Sequence, residues 1–586
     1  MKEIIDYLKK NWIVTSLGDI SFSPEKIRPT DKPKKTIKYL DIGGIDNKKN
    51  IVVSHKEYLG QEAPSRAQQA IKYGDIAFST VRPYLKNIAL VPEYLNGSVG
   101  STGFCFLRPH QGIESKYIYY WVLSHEFISE ISKLQKGSSY PAVTNKDVFN
   151  QKIPLAPTSI QKAIISKIEE LFSRIDAGVE GLKQAKAKLQ QYRQSVLKDA
   201  VTGKLTEQWR EQNADKLEPA DELLERILQA RRASWEAEQL KGFAEKGTTP
   251  TNDKWKDKYE EPKEALVLNY LPNSWVSTVT DQIFSFVTSG SRGWAKYYSD
   301  DGPLFLRVGN LFHYNIELDM RKLQRVSPPE GTEGSRTKVQ EGDNLISITA
   351  DVGMVGYVPR GFEEAYINQH VALARPVKKE MGKYLSWLLS GDFAKEQFKA
   401  LQKGATKAGL GLDDIRSISF GLPSLLEQGQ IVQEIESKIS VIDKLKKEIE
   451  LKILQASKLK SSILADAFAG KLVENIETDE TATQLLEKIK AEKDKLIADK
   501  PKAITERKKK VTTERKPLLA VLGEQSEAIT PDVLMQNAGF TSVDIDDFYV
   551  ELASIAEKVE QVSPDQDTLR NWPYEKAANI KIKLKD

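Results

Sequence analysis

The chain has one cysteine, Cys105, among 586 residues. That excludes an intramolecular disulfide framework and a multi-cysteine zinc site, and it implies a reducing compartment; the cytoplasm is the expected location. The five histidines, at positions 55, 110, 125, 313 and 370, lack ligand-type spacing, so no metal site is expected. No stretch approaches the ~18 uninterrupted apolar residues of a membrane span. The opening MKEIIDYLKKNWIVTS also lacks the apolar centre of a signal peptide. Neither export by that route nor membrane insertion is expected. Charge excess is missing too, because 86 Lys and Arg against 82 Asp and Glu leave only +4. Bulk charge therefore identifies no polyanion partner, and any basic surface must be local. Gly290-Ser-Arg-Gly293 and Gly404…Gly409-Leu-Gly411 lack the Lys-Ser/Thr ending of a phosphate loop.

What the chain does have is length and repetition. At roughly 100–200 residues per domain its length implies about three to five folding units. Asp199-Ala-Val-Thr-Gly-Lys-Leu205 returns as Asp466-Ala-Phe-Ala-Gly-Lys-Leu472, and Gly470 minus Gly203 gives a shift of 267. The same shift aligns Arg108-Pro109 with Arg375-Pro376, Lys116-Tyr117 with Lys383-Tyr384, and Leu134-Gln-Lys-Gly137 with Leu401-Gln-Lys-Gly404. Weaker matches reach the start: Trp12 with Trp275, Tyr39-Leu-Asp-Ile-Gly-Gly with Phe305-Leu-Arg-Val-Gly-Asn, and Gly74-Asp75 with Gly342-Asp343. A further echo, Pro219–Ile227 with Thr481–Ile489, follows each copy. Two units of this size make a tandem duplication and not a solenoid.

Within one unit, Ile160, Ile164, Ile168, Leu171, Ile175, Leu182, Ala185, Leu189, Tyr192 and Val196 recur at three- and four-residue steps, which predicts an amphipathic helix over 160–200. At 1.5 Å per residue it would span about 60 Å, too long for a small domain to cover. The second copy supplies a partner through Ile431, Ile435, Ile439, Ile442, Leu445, Ile449, Ala456, Leu459 and Ile463. A coiled coil follows, antiparallel or parallel by periodicity alone, with a bend allowed at Gly178 and Gly181. The preceding parts, roughly 12–157 and 275–424, alternate short apolar runs such as Ile76-Ala-Phe-Ser and Asn344-Leu-Ile-Ser-Ile with turn residues, the pattern of strands. Each part ends in an expected helix, Tyr117–Lys133 or Tyr384–Gln402, and a glycine loop. An α+β class results, and Cys105 falls in an apolar strand pattern of core type.

These residues resemble the specificity subunit of type I restriction–modification systems. The resemblance is carried by Trp12…Leu17-Gly-Asp-Ile20, Gly74-Asp75-Ile-Ala-Phe-Ser, Leu155-Ala-Pro157 leading into Gln161…Ile168-Glu…Ile175-Asp, and the Asp-Ala-x-x-Gly-Lys-Leu ending of both helices; it covers about 1–490. It implies two target-recognition domains separated by a pair of long antiparallel coiled-coil helices. The resulting segments are 1–157 and 266–424 for the domains, 158–205 and 425–475 for the helices, and 206–265 for a helical charged linker. Residues 476–517 form a helical basic linker and 518–586 an acidic helical extension. The implied partners are duplex DNA, two modification subunits and two restriction subunits. S-adenosylmethionine, ATP and Mg²⁺ would be held by those partners and not by this chain, which would be non-catalytic. Consistent with that, the Asn-Pro-Pro-Tyr/Phe motif of the methylating partner is missing, the only adjacent prolines being Pro328-Pro329.

If the helices are antiparallel, the two halves share a pseudo-two-fold axis that matches the dyad of duplex DNA, with half-sites about 34–36 Å apart. Because the modules differ, the site should be bipartite and asymmetric. Reading bases requires paired donors and acceptors. The candidates are Thr80, Arg82, Lys86, Ser138, Ser139 and Tyr140 in the first module, and Arg292, Asn368, Gln369, His370, Thr406 and Lys407 in the second. A solvated loop side chain is the competing reading at each, and Arg336 and Lys338 equally suit phosphates. Candidate contacts to partner subunits are Gln161, Ile168 and Glu169 with their repeats Gln428, Ile435 and Glu436. Beyond the repeat, 488–517 carries 12 Lys/Arg against 5 Asp/Glu, whereas 531–567 carries 9 Asp/Glu and one Lys. Such runs are solvated faces, partner contacts, or an autoinhibitory contact between the acidic module and the basic linker. A coiled-coil scaffold with protein-binding modules is the alternative for the whole chain.

Overall fold

In a computed structural model, the described residues are 11–290, 292–328, 332–402, 409–474, 477–498, 515–540, 545–562 and 581–585. They form two compact units, Met1–Leu486 and Glu487–Asp586. No helix among the described residues is long and apolar enough to cross a membrane.

The larger unit contains two β-rich modules built to one plan. In each, the first strand pairs antiparallel with the last: Ile13–Ser16 with Lys152–Leu155, and Val276–Val279 with Ser419–Leu422. Each module therefore closes on itself just before its long helix begins. One four-stranded sheet has the same order in both, namely Ser21–Phe22, Phe104–Pro109, Ile76–Ser79, Ile88–Leu90 in the first and Phe284–Ser289, Val371–Pro376, Asn344–Ser347, Val355–Tyr357 in the second. A second sheet includes a parallel pair in each, Tyr39 beside Val99 and Phe305 beside Tyr366. The central strands Ile76–Ser79 and Asn344–Ser347 are buried at every position, which explains their apolar runs where strict alternation would mark a one-sided sheet.

The helix expected over Tyr117–Lys133 is broken into Ser115–Leu123 and His125–Ser132. Ser124 adopts an extended backbone and its Oγ accepts from the Phe127 N–H, capping the second piece. The helix expected over Tyr384–Gln402 breaks likewise, at Gly391, between Gly382–Ser390 and Asp392–Leu401.

The long helices are Thr158–Val201 and Leu425–Phe468, of 44 residues each. The bend allowed at Gly178 and Gly181 does not occur. The helix runs through both, and a Cβ at either would meet nothing within 4 Å, so each glycine costs helix propensity without breaking the ladder. Three interhelical ion pairs, Asp176–Lys460, Lys186–Glu450 and Arg193–Asp443, have residue numbers that add to 636 in every case, which defines an antiparallel pair. Each helix stops at a glycine in the left-handed region, Gly203 (φ 78°) or Gly470 (φ 73°). The chain then turns back so that the Leu205 and Lys471 amides donate to the Asp199 and Asp466 carbonyls at 3.0 and 2.8 Å. The repeated Asp-Ala-x-x-Gly-Lys-Leu is thus a helix stop.

Because the helices are antiparallel, the end of each lies against the other module. Phe468 packs on Tyr117 and Trp121 of the first module, with ring centroids 5.1 and 4.9 Å apart. Val196, Leu197, Ala200 and Val201 share one core with Tyr384, Trp387 and Leu388 of the second. The echoed segments follow the same rule. Leu223 and Ile227, on the helix Ala220–Glu245, join the second module's core. Ala482 donates its amide to the Asn11 carbonyl beside the first module, at 3.1 Å.

In the smaller unit, helices Leu518–Gly523, Pro531–Asn537 and Ile545–Ser554 enclose a core with an antiparallel strand pair, Val559–Val562 with Lys581–Leu584. The three helices agree with the mostly helical extension expected for 518–586, and the strand pair adds to it. Its alternating Lys581-Ile582-Lys583-Leu584 buries Ile582 and leaves Lys581 exposed, a strand period that a charge count does not reveal.

Candidate nucleic-acid interface

Two matches that are separate in the sequence become one structure in space. Arg108 grips Asp75 through Nε–Oδ1 (2.8 Å) and Nη2–Oδ2 (2.6 Å), and Arg375 grips Asp343 identically, at 2.7 Å for both bonds. Both carboxylates are buried, and burial pushes the Asp343 carboxyl above its ordinary pKa despite the opposing Arg375 bond. Each fork fixes the start of a central strand, Ile76–Ser79 or Asn344–Ser347, and so aims the turn that follows it.

Those turns are equivalent. Ser79 Oγ donates to the Val81 carbonyl at 2.9 Å, and Ser347 Oγ donates to the Asp351 carbonyl at 2.6 Å. A non-glycine residue then takes a left-handed backbone, Arg82 at φ 47° and Ala350 at φ 65°. Such strain persists only where the surroundings impose it. A second segment ties onto each turn: the Val143 amide donates to the Thr80 carbonyl and the Leu410 amide to the Ile348 carbonyl, both at 2.9 Å. Each module therefore carries a two-segment surface at the same place in its fold.

In the first module this surface unites the two loops singled out in the sequence. The Arg82 amide donates to the Pro141 carbonyl at 2.8 Å, its guanidinium donates to the Ser139 carbonyl at 2.9 Å, and the guanidinium lies 4.9 Å over the Tyr140 ring. Tyr140 is 73% exposed, and Ser138 and Ser139 are also exposed. An arginine stacked on an aromatic and hydrogen-bonded on one edge is pre-oriented for a planar acceptor pair. Two candidates move elsewhere. Thr80, the first residue after the strand Ile76–Ser79, is buried because its amide and its hydroxyl both donate to the Gly103 carbonyl, each at 3.0 Å. Lys86 donates to the Leu123 carbonyl at 3.0 Å, and burial lowers its pKa; it fastens the turn to the break between the two helices.

In the second module the loop at Gly290 runs against the strand end at Asn368; a Cβ on Gly290 would lie 2.2 Å from the Ile367 carbonyl oxygen. Gln369 Nε2 donates to His370 Nε2 at 2.9 Å, leaving Nδ1–H to donate to Thr349 Oγ1 at 2.5 Å. Asn368 is buried and its Oδ1 accepts the His370 amide, so it shapes the loop and does not face outward. Arg292 is exposed. Arg336 bonds Thr288 Oγ1 and the Ser289 carbonyl, and Lys338 pairs with Glu364 at 2.8 Å. Thr406 and Lys407 lie outside the described residues. Sequence reasoning missed Thr349 and Asp351, the latter exposed and 2.8 Å from His313 Nε2. The signal was available, since continuing the Gly74/Gly342 match places Ala350 opposite Arg82.

The proposed partner contacts on the helices prove largely internal. Gln161 donates to the Ala156 carbonyl (2.8 Å) and accepts from the Glu114 amide (3.0 Å); Gln428 donates to the Pro423 carbonyl (3.0 Å). Ile168 and Ile435 are buried. Glu169 pairs with Lys116 at 2.5 Å and Glu436 with Lys383 at 2.7 Å. These residues recur because both copies build the same joint between module and helix, which is a sufficient reason for their identity.

Comparison with known proteins agrees with this architecture. The family model described as the type I restriction modification DNA specificity domain matches residues 9–186 and 325–455. The chain is 25% identical over 418 residues to the type I restriction enzyme EcoBI specificity subunit of Escherichia coli, covering 69% of this chain and 76% of that protein. It is 25% identical over 405 residues to the EcoKI specificity subunit of Escherichia coli strain K12, covering 67% and 74%. A chain from a solved structure concerned with complex assembly and conformational transition of the type I R-M system superposes with a TM-score of 0.58 at 25% identity, covering 79% of this chain and 99% of that one. A duplicated module, a duplicated helix stop and a matching family model over both halves lead to one conclusion: the chain belongs to the type I restriction–modification DNA specificity family.

Proposed function

We propose that this chain reads a bipartite, asymmetric DNA site and organises catalytic subunits around it, without performing chemistry itself. The observation that carries the reading is the duplicated two-segment turn, at Val81–Lys86 and Thr349–Gly353, borne by modules at opposite ends of an antiparallel helix pair. Two copies of one frame with different side chains suit two half-sites of different sequence. In the first module the turn offers Arg82, whose guanidinium matches guanine O6 and N7; in the second it offers Asp351, which matches the cytosine N4 donor. The helix pair then sets the length of the unread spacer.

Partner subunits would meet the outside of the helices. Along the second, Val441, Leu445, Leu451, Leu454 and Leu459 are 41–57% exposed, an apolar surface of the kind subunit contacts use. Two modification subunits there would supply S-adenosylmethionine chemistry, and two restriction subunits would add ATP- and Mg²⁺-dependent cleavage. The test is to map adenine methylation in the host with and without this chain. Loss of one bipartite motif supports the reading; an unchanged methylome favours a scaffold with protein-binding modules.

A further inference from the structure

The unit Glu487–Asp586 lies beyond the repeat, and its element order is informative. Ile529, between the first two helices, exchanges both backbone hydrogen bonds with Ile582, at 3.1 and 2.7 Å. The sheet order is therefore Ile529, Lys581–Leu584, Val559–Val562. Among the described residues, the order helix, bridging residue, helix, helix and two antiparallel strands, with the last strand in the middle, matches that of a winged helix-turn-helix. Leu518, Leu522, Leu534, Phe540, Phe548 and Ile582 form its core.

In a DNA-reading module of this kind, the last helix enters the major groove and contacts base edges through cationic or amide side chains. Here that helix, Ile545–Ser554, carries Asp546, Asp547 and Glu551 and no Lys, Arg, Asn or Gln. Asp547 pairs with Arg515 at 3.7 Å and Glu551 accepts from the Leu518 amide at 3.2 Å, and a helix of acidic sequence with no cationic or amide side chain is unsuited to DNA. Its exposed side chains are mixed: Ile545, Tyr549 and Val550 are 45%, 53% and 72% exposed beside the exposed Asp547, while Phe548 faces the core. Ile545 and Tyr549, four residues apart, share one face.

We propose that this third helix has exchanged DNA reading for protein docking, and that it receives a segment of a partner subunit whose apolar side chains are edged with lysine or arginine. Charge complementarity sets the basic edge, and the exposed Ile545, Tyr549 and Val550 set the apolar centre. The inference rests on the scaffold reading above, in which the available partners are the modification and restriction subunits.

The test uses the full chain with the modification and restriction subunits of its own host, and two independent variants, Tyr549→Ser with Val550→Ser, and Ile545→Arg. Both alter exposed positions, and retention of the wild-type melting profile checks the fold. The expected result is that both variants weaken binding of one subunit at least tenfold, with DNA affinity and its salt dependence unchanged. Wild-type binding of both subunits by both variants overturns the docking inference and leaves the scaffold reading intact. Weakened DNA binding, or a change only in self-association of the chain, also overturns it. A wild-type chain that binds neither subunit overturns both readings.

Discussion

Replacing Phe468 with alanine should loosen a module built from the opening of the chain. Phe468 is 1% exposed, near the end of the second long helix, and its ring meets Tyr117 and Trp121. Truncating a buried phenylalanine costs about 3–5 kcal/mol, since the transfer free energy is lost and the cavity collapses only in part. Aromatic pairs add about 0.5–1.5 kcal/mol beyond area, so the upper half of that range is expected. Against a domain stability of about 5–15 kcal/mol the change is large. Even the lower bound corresponds to roughly a hundredfold increase in opening of the contacted segment. Native-state hydrogen exchange read peptide by peptide is the assay. Faster exchange should appear in Ser115–Leu123, with Gly382–Ser390 close to wild type. If exchange accelerates in Gly382–Ser390 instead, or the loss is below about 1 kcal/mol, the crossed packing of helix ends on opposite modules is wrong.

Arg82→Ala should weaken discrimination at one base pair of a single half-site by about 1–3 kcal/mol, read by methylome mapping or competition binding; relaxation in both half-sites would show that the modules do not read independently. Arg375→Met strands the fully buried Asp343 carboxylate and should destabilise the chain by about 3–5 kcal/mol in urea unfolding. Part of that loss should return at low pH, because the Asp343 carboxyl is already pushed up by burial and protonates more readily without its arginine. Inserting four residues, ~6 Å, into both long helices at matching positions should lengthen the unread spacer in the methylated motif; an unchanged spacer contradicts the ruler. Cys105, buried and with its thiol pushed up by desolvation, should resist maleimide at pH 8 and react only after unfolding.

The architecture was legible because duplication writes each constraint twice. The 267-residue shift matches the Asp-Ala-x-x-Gly-Lys-Leu endings and the Lys116/Lys383 pair in the sequence, while their roles as helix stop and as joint to the long helix are seen in the structure. The site was legible only in part. Arg82, Ser139 and Tyr140 were found from turn composition and do meet, whereas Thr80 and Asn368, of equally plausible chemistry, are turned inward. Residue type reports what a side chain can bind, but burial depends on which strand covers it.

The sequence by itself determined the local and periodic features. Heptad steps made the long helices, Gly203 and Gly470 ended them, and the repeat set the number of modules. Those properties depend on neighbours within a few residues or on comparison of the chain with itself. Tertiary structure decided the direction of the helix pair, the crossing of each helix end onto the opposite module, and the assembly of each reading turn from two distant segments. It also decided that recurrent Gln161 and Gln428 are internal braces. The physical reason is that hydrogen bonds and burial are satisfied between residues far apart in the chain, so that a position's role is settled by the surface brought against it.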